Sequence, residues 1–215
     1  MALKTKAKKG TGLKKAKMEL FLDDYFFNYH EKIYRDNLVK MVQNLDNDHP
    51  VKILLGEHKK ISHTLSLLEK ALTKFQKCNQ FECITVEQWQ LLNQSVENFK
   101  KIDQLFSDEE RLLFPELVEH GFSAEIRQIV ADHSEIHDLI GRLIVAYDDG
   151  IRDNYREISS VINAIGLNLA EKIRTLIQHE SYILYPRALR VISGQNSWQR
   201  LRKITKTIQI QLVST

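Results

Sequence analysis

At 215 residues the chain can hold one medium domain with a real hydrophobic core and short extensions. Its apolar share of 43% and charged share of 27% are those of an ordinary globular protein, and eight glycines with three prolines argue against a turn-rich β-fold. No apolar run approaches the roughly 20 residues of a bilayer span, and no apolar signal core precedes Glu19, Asp23 and Asp24, so the expectation is a cytoplasmic protein without membrane contact.

The net charge of +3 hides an asymmetry. Lys4, Lys6, Lys8, Lys9, Lys14, Lys15 and Lys17 precede the first acid, which leaves the remainder near −4. With Gly10 and Gly12 among them, residues 1–17 read as a flexible basic leader, either a solvated tail or an arm for an anionic surface such as nucleic acid. No aromatic residue interleaves these lysines for base stacking.

Residues 18–48 form an expected N-terminal helical extension that carries Tyr25, Phe26, Phe27, Tyr29 and Tyr34 and stops at Asp46-Asn47-Asp48. Asp48 or His49 ahead of Pro50 predicts the start of a first bundle helix, since proline suits the first helical turn. Its apolar stripe is Leu54, Ile61, Leu65, Leu68 and Leu72, and His58 fills the gap in that series.

Cys78 and Cys83 stand five apart in a polar stretch, a spacing unlike a zinc or redox pair, and read as free thiols. Thr85 with Gln88 three residues on predicts a capping box. The second helix then carries Leu92, Val96, Phe99, Ile102, Phe106, Leu113 and Leu117, with Glu109 and Glu110 at its stripe, and Gly121 predicts its C-terminus. Ser123 opens a third helix with the stripe Ile126, Val130, His133, His137, Ile140 and Ile144. A fourth, from about Asn154, places Ile162, Ile165, Leu169, Ile173, Leu176, Glu180 and Ile183 in register. Residues 195–215 hold a short packing helix with Arg200, Arg202, Lys203 and Lys206 on one face. The predicted fold is all-α, an up-down-up-down four-helix bundle over residues 49–194.

His58, Glu109, His133, His137 and Glu180 thus stand where apolar residues belong. An ionisable group that loses its hydration in a core needs something to bind it. His133 and His137, four apart, project from one helical face and can share one metal ion. Leu105 to Pro115 aligns without gaps on Leu176 to Pro186, so Glu109 and Glu180 fall in the same slot, six residues before a proline. Two such carboxylates facing one another repel unless a cation or a shared proton lies between them. The plainer alternatives are core histidines bonded to neighbours and boundary glutamates reaching solvent or an arginine. Glu110 competes with Glu109 for the inner position, while His30, His63, His120 and His179 fall off the stripes or near helix ends. No glycine-rich phosphate loop, G-x-S-x-G or clustered zinc spacing is present, and no catalytic residue is assigned.

The stretches HPVKILLGEHKKISHTLSLLEK (49–70), EERLLFPELVEHGF (109–122), IVADHSEIHDLIGRL (129–143) and LYPRALRVIS (184–193) resemble the hemerythrin-like, or HHE cation-binding, family. That resemblance implies a non-haem di-iron centre between four helices. Family members use a histidine on the first helix, H-x-x-x-E on the second and fourth, and one or two histidines on the third. Carried over by position, His58 serves one iron, His133 with His137 the other, and Glu109 and Glu180 bridge them. The chain departs from the pattern at Leu105 and Leu176, which stand four residues before the two glutamates, and at Lys52, where some relatives have a histidine. The resemblance is compatible with two irons, with Glu110 or His179 filling gaps, or with a single iron, another divalent metal or none. The implied roles are sensing of O2, nitric oxide or redox state, or iron handling. The competing class is a metal-free bundle that works as a protein-interaction or regulatory module, since leucine fills a dry site well.

Overall fold

The computed structural model describes residues 36–77, 85–150, 155–192, 194 and 197–202. The lysine leader, the aromatic residues of the N-terminal extension and both cysteines lie outside that set. Among the described residues all regular structure is helical.

Helix α1 (Pro50–Lys77) is the first rod of the bundle. The second is assembled from α2 (Val86–Phe99), α3 (Ile102–Asp108) and α4 (Phe114–Glu119), with a π-helical turn, Glu109–Leu113, between the last two. The third is α5 (Ser123–Gly150). The fourth joins α6 (Tyr155–His179) to α7 (Tyr185–Val191) through a second π-turn, Glu180–Leu184.

Cross-helix partners reveal the topology, because the residue number on one rod falls as its partner's rises. Thr64 meets Asn98 while Phe75 meets Trp89, so the first two rods run antiparallel. Asp103 meets His137 and Asn93 meets Tyr147 across the second and third. Glu135 meets Lys172 and His133 meets Glu180 across the third and fourth, and Glu69 with Arg174 closes the ring from first to fourth. This is the up-down-up-down order expected for helices with short connections.

The ends follow from local chemistry. His49 begins α1: its carbonyl accepts from Lys52 and Ile53, and its ring Nδ1 accepts from the Val51 N–H at 3.3 Å. At the start of α2 the Gln88 side chain accepts from the Thr85 N–H at 3.2 Å, the back-bond of the predicted capping box. Gly121 takes a positive φ of 92°, which lets the Phe122 N–H return to the Leu117 carbonyl and turns the chain from α4 into α5.

Leu65, Leu68, Leu72, Phe75, Leu92, Phe99, Leu143, Ile162 and Leu169 fill the bundle interior. Each such side chain contributes about 1.5–3 kcal/mol when fully buried. That dry half sets the spacing of the four rods, and the ionisable residues interrupt the core near the π-turns. Residues 197–202 form a further helical turn tied to the bundle: Leu201 is buried, the Trp198 indole donates to the Ile192 carbonyl at 2.7 Å, Arg200 pairs with Glu116 and Arg202 with Asp46. No helix among the described residues is long and apolar enough to cross a membrane.

Candidate metal centre

Both π-turns begin on the glutamates that the internal repeat aligns. In each, the aromatic residue five positions on donates its N–H to the glutamate carbonyl: Phe114 to Glu109 and Tyr185 to Glu180. The proline that follows, Pro115 or Pro186, has no N–H and its ring crowds the carbonyl four residues back. Widening the preceding turn by one residue relieves that crowding, and such π-bulges recur at functional sites. The result places Glu109 and Glu180 inside the bundle, 1% and 0% exposed.

Two histidines from the other rods face them. His133 donates from Nδ1 to Glu110 Oε1 at 2.8 Å, and its ring lies flat on Phe106 (3.8 Å between centroids, 4°) and near Phe114 (5.7 Å). His58 places Nδ1 2.8 Å from Ser181 Oγ and stacks on Tyr185 at 5.3 Å. The pattern repeats with pseudo-two-fold symmetry. The residue after each glutamate holds a histidine Nδ1, and the aromatic residue five after it supports the same ring. Both Nε2 atoms are thereby turned toward the carboxylates. His133 Nε2 lies 3.3 Å from Glu180 Oε1 and 3.9 Å from Glu109 Oε2, and His58 Nε2 lies 3.2 Å from Glu180 Oε2. Tyr185 completes the cluster, its hydroxyl donating to Glu109 Oε1 and lying 3.1 Å from His58 Nε2.

The electrostatics of this cluster are set by burial and by the closeness of the two carboxylates. Burial, and then the charge of Glu180, push the Glu109 carboxyl well above the usual carboxylate range. Burial alone would raise Glu180 too, but hydrogen bonds from His133 and His58 outweigh it and hold that group below the ordinary value. Burial and the charges of Glu109 and Glu180 push the Tyr185 phenol well up. Glu109 Oε2 is buried without a hydrogen bond among the described residues, while Glu180 Oε2 faces His58 Nε2 at 3.2 Å. A carboxylate only accepts, so Glu110 takes the Nδ1 proton of His133 and turns Nε2 toward two carboxylates; the bond to Glu180 requires a proton on that nitrogen, whose place a cation can take. Acceptor facing acceptor is repulsive unless a second proton or a cation occupies the gap. One donor atom each from His58, Glu109 and Glu180 also lies within 4.8 Å of the others, a grouping able to hold a metal ion. Imidazole nitrogen with carboxylate oxygen suits iron and zinc. The residues present fit a metal.

A comparison with protein-family models matches residues 49–188 to the hemerythrin HHE cation-binding domain, more than half of the chain. This chain belongs to the hemerythrin family. No curated protein matches it significantly.

Within the hemerythrin domain the expected site residues divide. His58, Glu109, His133 and Glu180 converge between the four rods. His137 does not join them, which corrects its placement on the apolar stripe. Its side chain is 65% exposed and pairs with Asp103 at 3.0 Å, a bond that raises its pKa. The inward seam of α5 runs Ile129, His133, Ile136, Ile140 and Leu143, alternating steps of four and three, so position 137 lies beyond its edge. Glu110, the rival to Glu109, is 38% exposed and acts on the far nitrogen of His133. His179, 30% exposed, bonds Glu125 on the outer side and faces away from the cluster. Leu105 and Leu176 are buried in the apolar core and bring no donor atom from those positions in this hemerythrin domain. Lys52 bonds the Leu45 carbonyl and Asn47.

Tyr185 and Ser181 were missed by sequence reasoning. The signal was present in the repeat, where Tyr185 aligns with Phe114 and Ser181 with Glu110. Changing His137 to alanine leaves metal content unaltered and stability within about 0.5 kcal/mol of wild type, as for other surface positions. Loss of metal in that variant, read by elemental analysis, contradicts the placement described here.

Proposed function

We propose that this hemerythrin domain is a cytoplasmic protein that binds non-haem iron, one ion or two, between its four rods. His58, Glu109, His133 and Glu180 supply the donor atoms. The observation that carries this reading is the His133 ring, locked by Glu110 so that its Nε2 faces two buried carboxylates. Bound iron supplies a redox-active Lewis acid able to take up O2 or nitric oxide, which suits the protein to sensing of these gases, to redox sensing or to iron handling. The protein's own residues orient donors and exclude water: Glu110 holds the Nδ1 proton of His133, Ser181 orients the His58 ring, and Phe106 and Phe114 keep the His133 side dry. A groove of about 610 Å³ between the first and second rods supports access by a small ligand. Leu105, one turn before Glu109, lines it together with Ile61, Thr64 and Ile102.

Glu110→Ala removes a hydrogen bond and no donor atom, so it weakens iron binding by about 10–100-fold, the usual loss for an outer partner of a ligating histidine. Anaerobic iron(II) titration of metal-free protein measures this, and equal affinity contradicts the role of Glu110. Exposure of the loaded protein to nitric oxide or O2 shifts its absorption spectrum if it senses these gases. An unchanged spectrum removes that function and leaves redox sensing or iron handling.

A metal-free regulatory module is the second reading. It is favoured by the bonds that Tyr185, His133 and His58 already make to the two glutamates, together with a Glu109 carboxyl that tends to keep its proton. A protein partner belongs to that reading. Contact with nucleic acid is assigned to the lysine leader, and equal DNA binding by a form lacking residues 1–17 rules it out.

A further inference from the structure

Tyr185 is fully buried, and its ring supports His58 much as Phe114 supports His133. A phenyl group therefore meets the packing need at the corresponding place in the repeat, and the hydroxyl on the His58 side calls for its own explanation. Desolvating a hydroxyl is costly unless it is bonded. Among the described residues this one is bonded to members of the cluster alone, Glu109 Oε1 and His58 Nε2. Its oxygen thus stands among the donor atoms on the His58 side, while the leucines at positions 105 and 176 offer none. Phenolate oxygen is an established protein ligand of ferric iron.

We propose that Tyr185 is itself a metal ligand, binding iron through its phenolic oxygen beside His58 and Glu109 and giving this chain a donor that its leucine positions lack. The inference rests on the iron-binding reading above. On coordination the O–H bond is exchanged for an O–iron bond and the proton leaves to solvent, so metal uptake releases protons.

The test loads full-length wild type and Tyr185→Phe with iron(II) under anaerobic conditions, then admits O2 to oxidise the metal. Iron per chain is measured on the same samples as the visible absorption and resonance Raman spectra. Wild type is expected to show a phenolate-to-iron(III) charge-transfer band with enhanced phenolate ring modes. Tyr185→Phe is expected to retain iron and lose both, since a phenyl group already fits the matching position at Phe114. Iron-loaded wild type without phenolate modes overturns the inference and leaves the iron site standing, with Tyr185 only donating to Glu109. Phenolate modes that persist in Tyr185→Phe overturn it as well, because another tyrosine is then the ligand. Wild type that takes up no iron overturns both this inference and the reading it rests on.

Discussion

Replacing Glu109 and Glu180 together by alanine abolishes iron uptake, with a loss well beyond the roughly 10–100-fold that an outer hydrogen-bond partner costs. Each carboxylate is buried and faces a histidine Nε2, and Glu109 Oε2 makes no hydrogen bond among the described residues, so each offers an oxygen to a cation that displaces its proton or its histidine bond. Without them His133 Nε2 and His58 Nε2 face an empty, uncharged gap, and two imidazoles on different rods cannot offset the dehydration of a dication. Iron content after anaerobic loading and gel filtration measures the effect. Circular dichroism on the same samples shows that the helices persist. A double variant that still holds the wild-type amount of iron contradicts the assignment of both glutamates.

Glu109→Gln makes the metal-free protein more stable at neutral pH, by about 1–3 kcal/mol, the usual scale for an unsatisfied buried polar group. The sign follows from linkage. Burial and the Glu180 charge raise the Glu109 carboxyl in the folded state above its value in the unfolded chain. Stability from that group is complete below the ordinary carboxylate pKa of about 4.3 and is lost as pH rises toward and through the raised value. Glutamine cannot titrate, keeps the volume and still accepts from Tyr185, so it removes the slope. Glu180→Gln has the opposite sign. The Glu180 carboxyl is held low by His133 and His58, so its contribution is present above the ordinary carboxylate pKa and disappears as pH falls through the depressed folded value. Thermal melts across acidic to neutral pH, with chelator present, measure both. At this chain length each kcal/mol moves the midpoint by about 2–4 °C. A Glu109→Gln protein less stable than wild type at neutral pH contradicts the electrostatic account.

The helical rods were legible because apolar residues recur at helical spacing along α1, α5 and α6, and the turn residues behave as their chemistry requires. Gly121 adopts the positive φ that ends α4, and Thr85 with Gln88 opens α2. Glu109 and Glu180 were legible for another reason: two carboxylates in one slot of a repeat are hard to explain as surface groups. His137 was misplaced because a four-residue step from His133 also fits a broad stripe, whereas the seam of α5 is narrow and passes through Ile136. The π-turns could not be seen in periodicity, since each is a single-residue shift in an otherwise helical run. The prolines at 115 and 186 are their trace. Tyr185 was visible only as part of a shared aromatic-proline pattern. What distinguishes it from Phe114 is one oxygen, and that oxygen acquires meaning only when folding brings it beside His58 and Glu109.

The pseudo-two-fold arrangement also explains how a bundle with leucine at positions 105 and 176 keeps a polar interior. Glu110 and Ser181 orient His133 and His58 from outside the cluster, so the remaining donors do not depend on positions 105 and 176 for their placement. The leucines there extend the dry core up to the edge of the site. The proposed binding of iron is tested most directly by metal identity and stoichiometry. The measurement is elemental analysis of full-length protein purified without chelator and again after anaerobic iron loading. Iron at one atom per chain or more after loading is the predicted result. A content well below one atom per chain contradicts iron binding and leaves a hemerythrin fold whose buried carboxylates are held by protons alone.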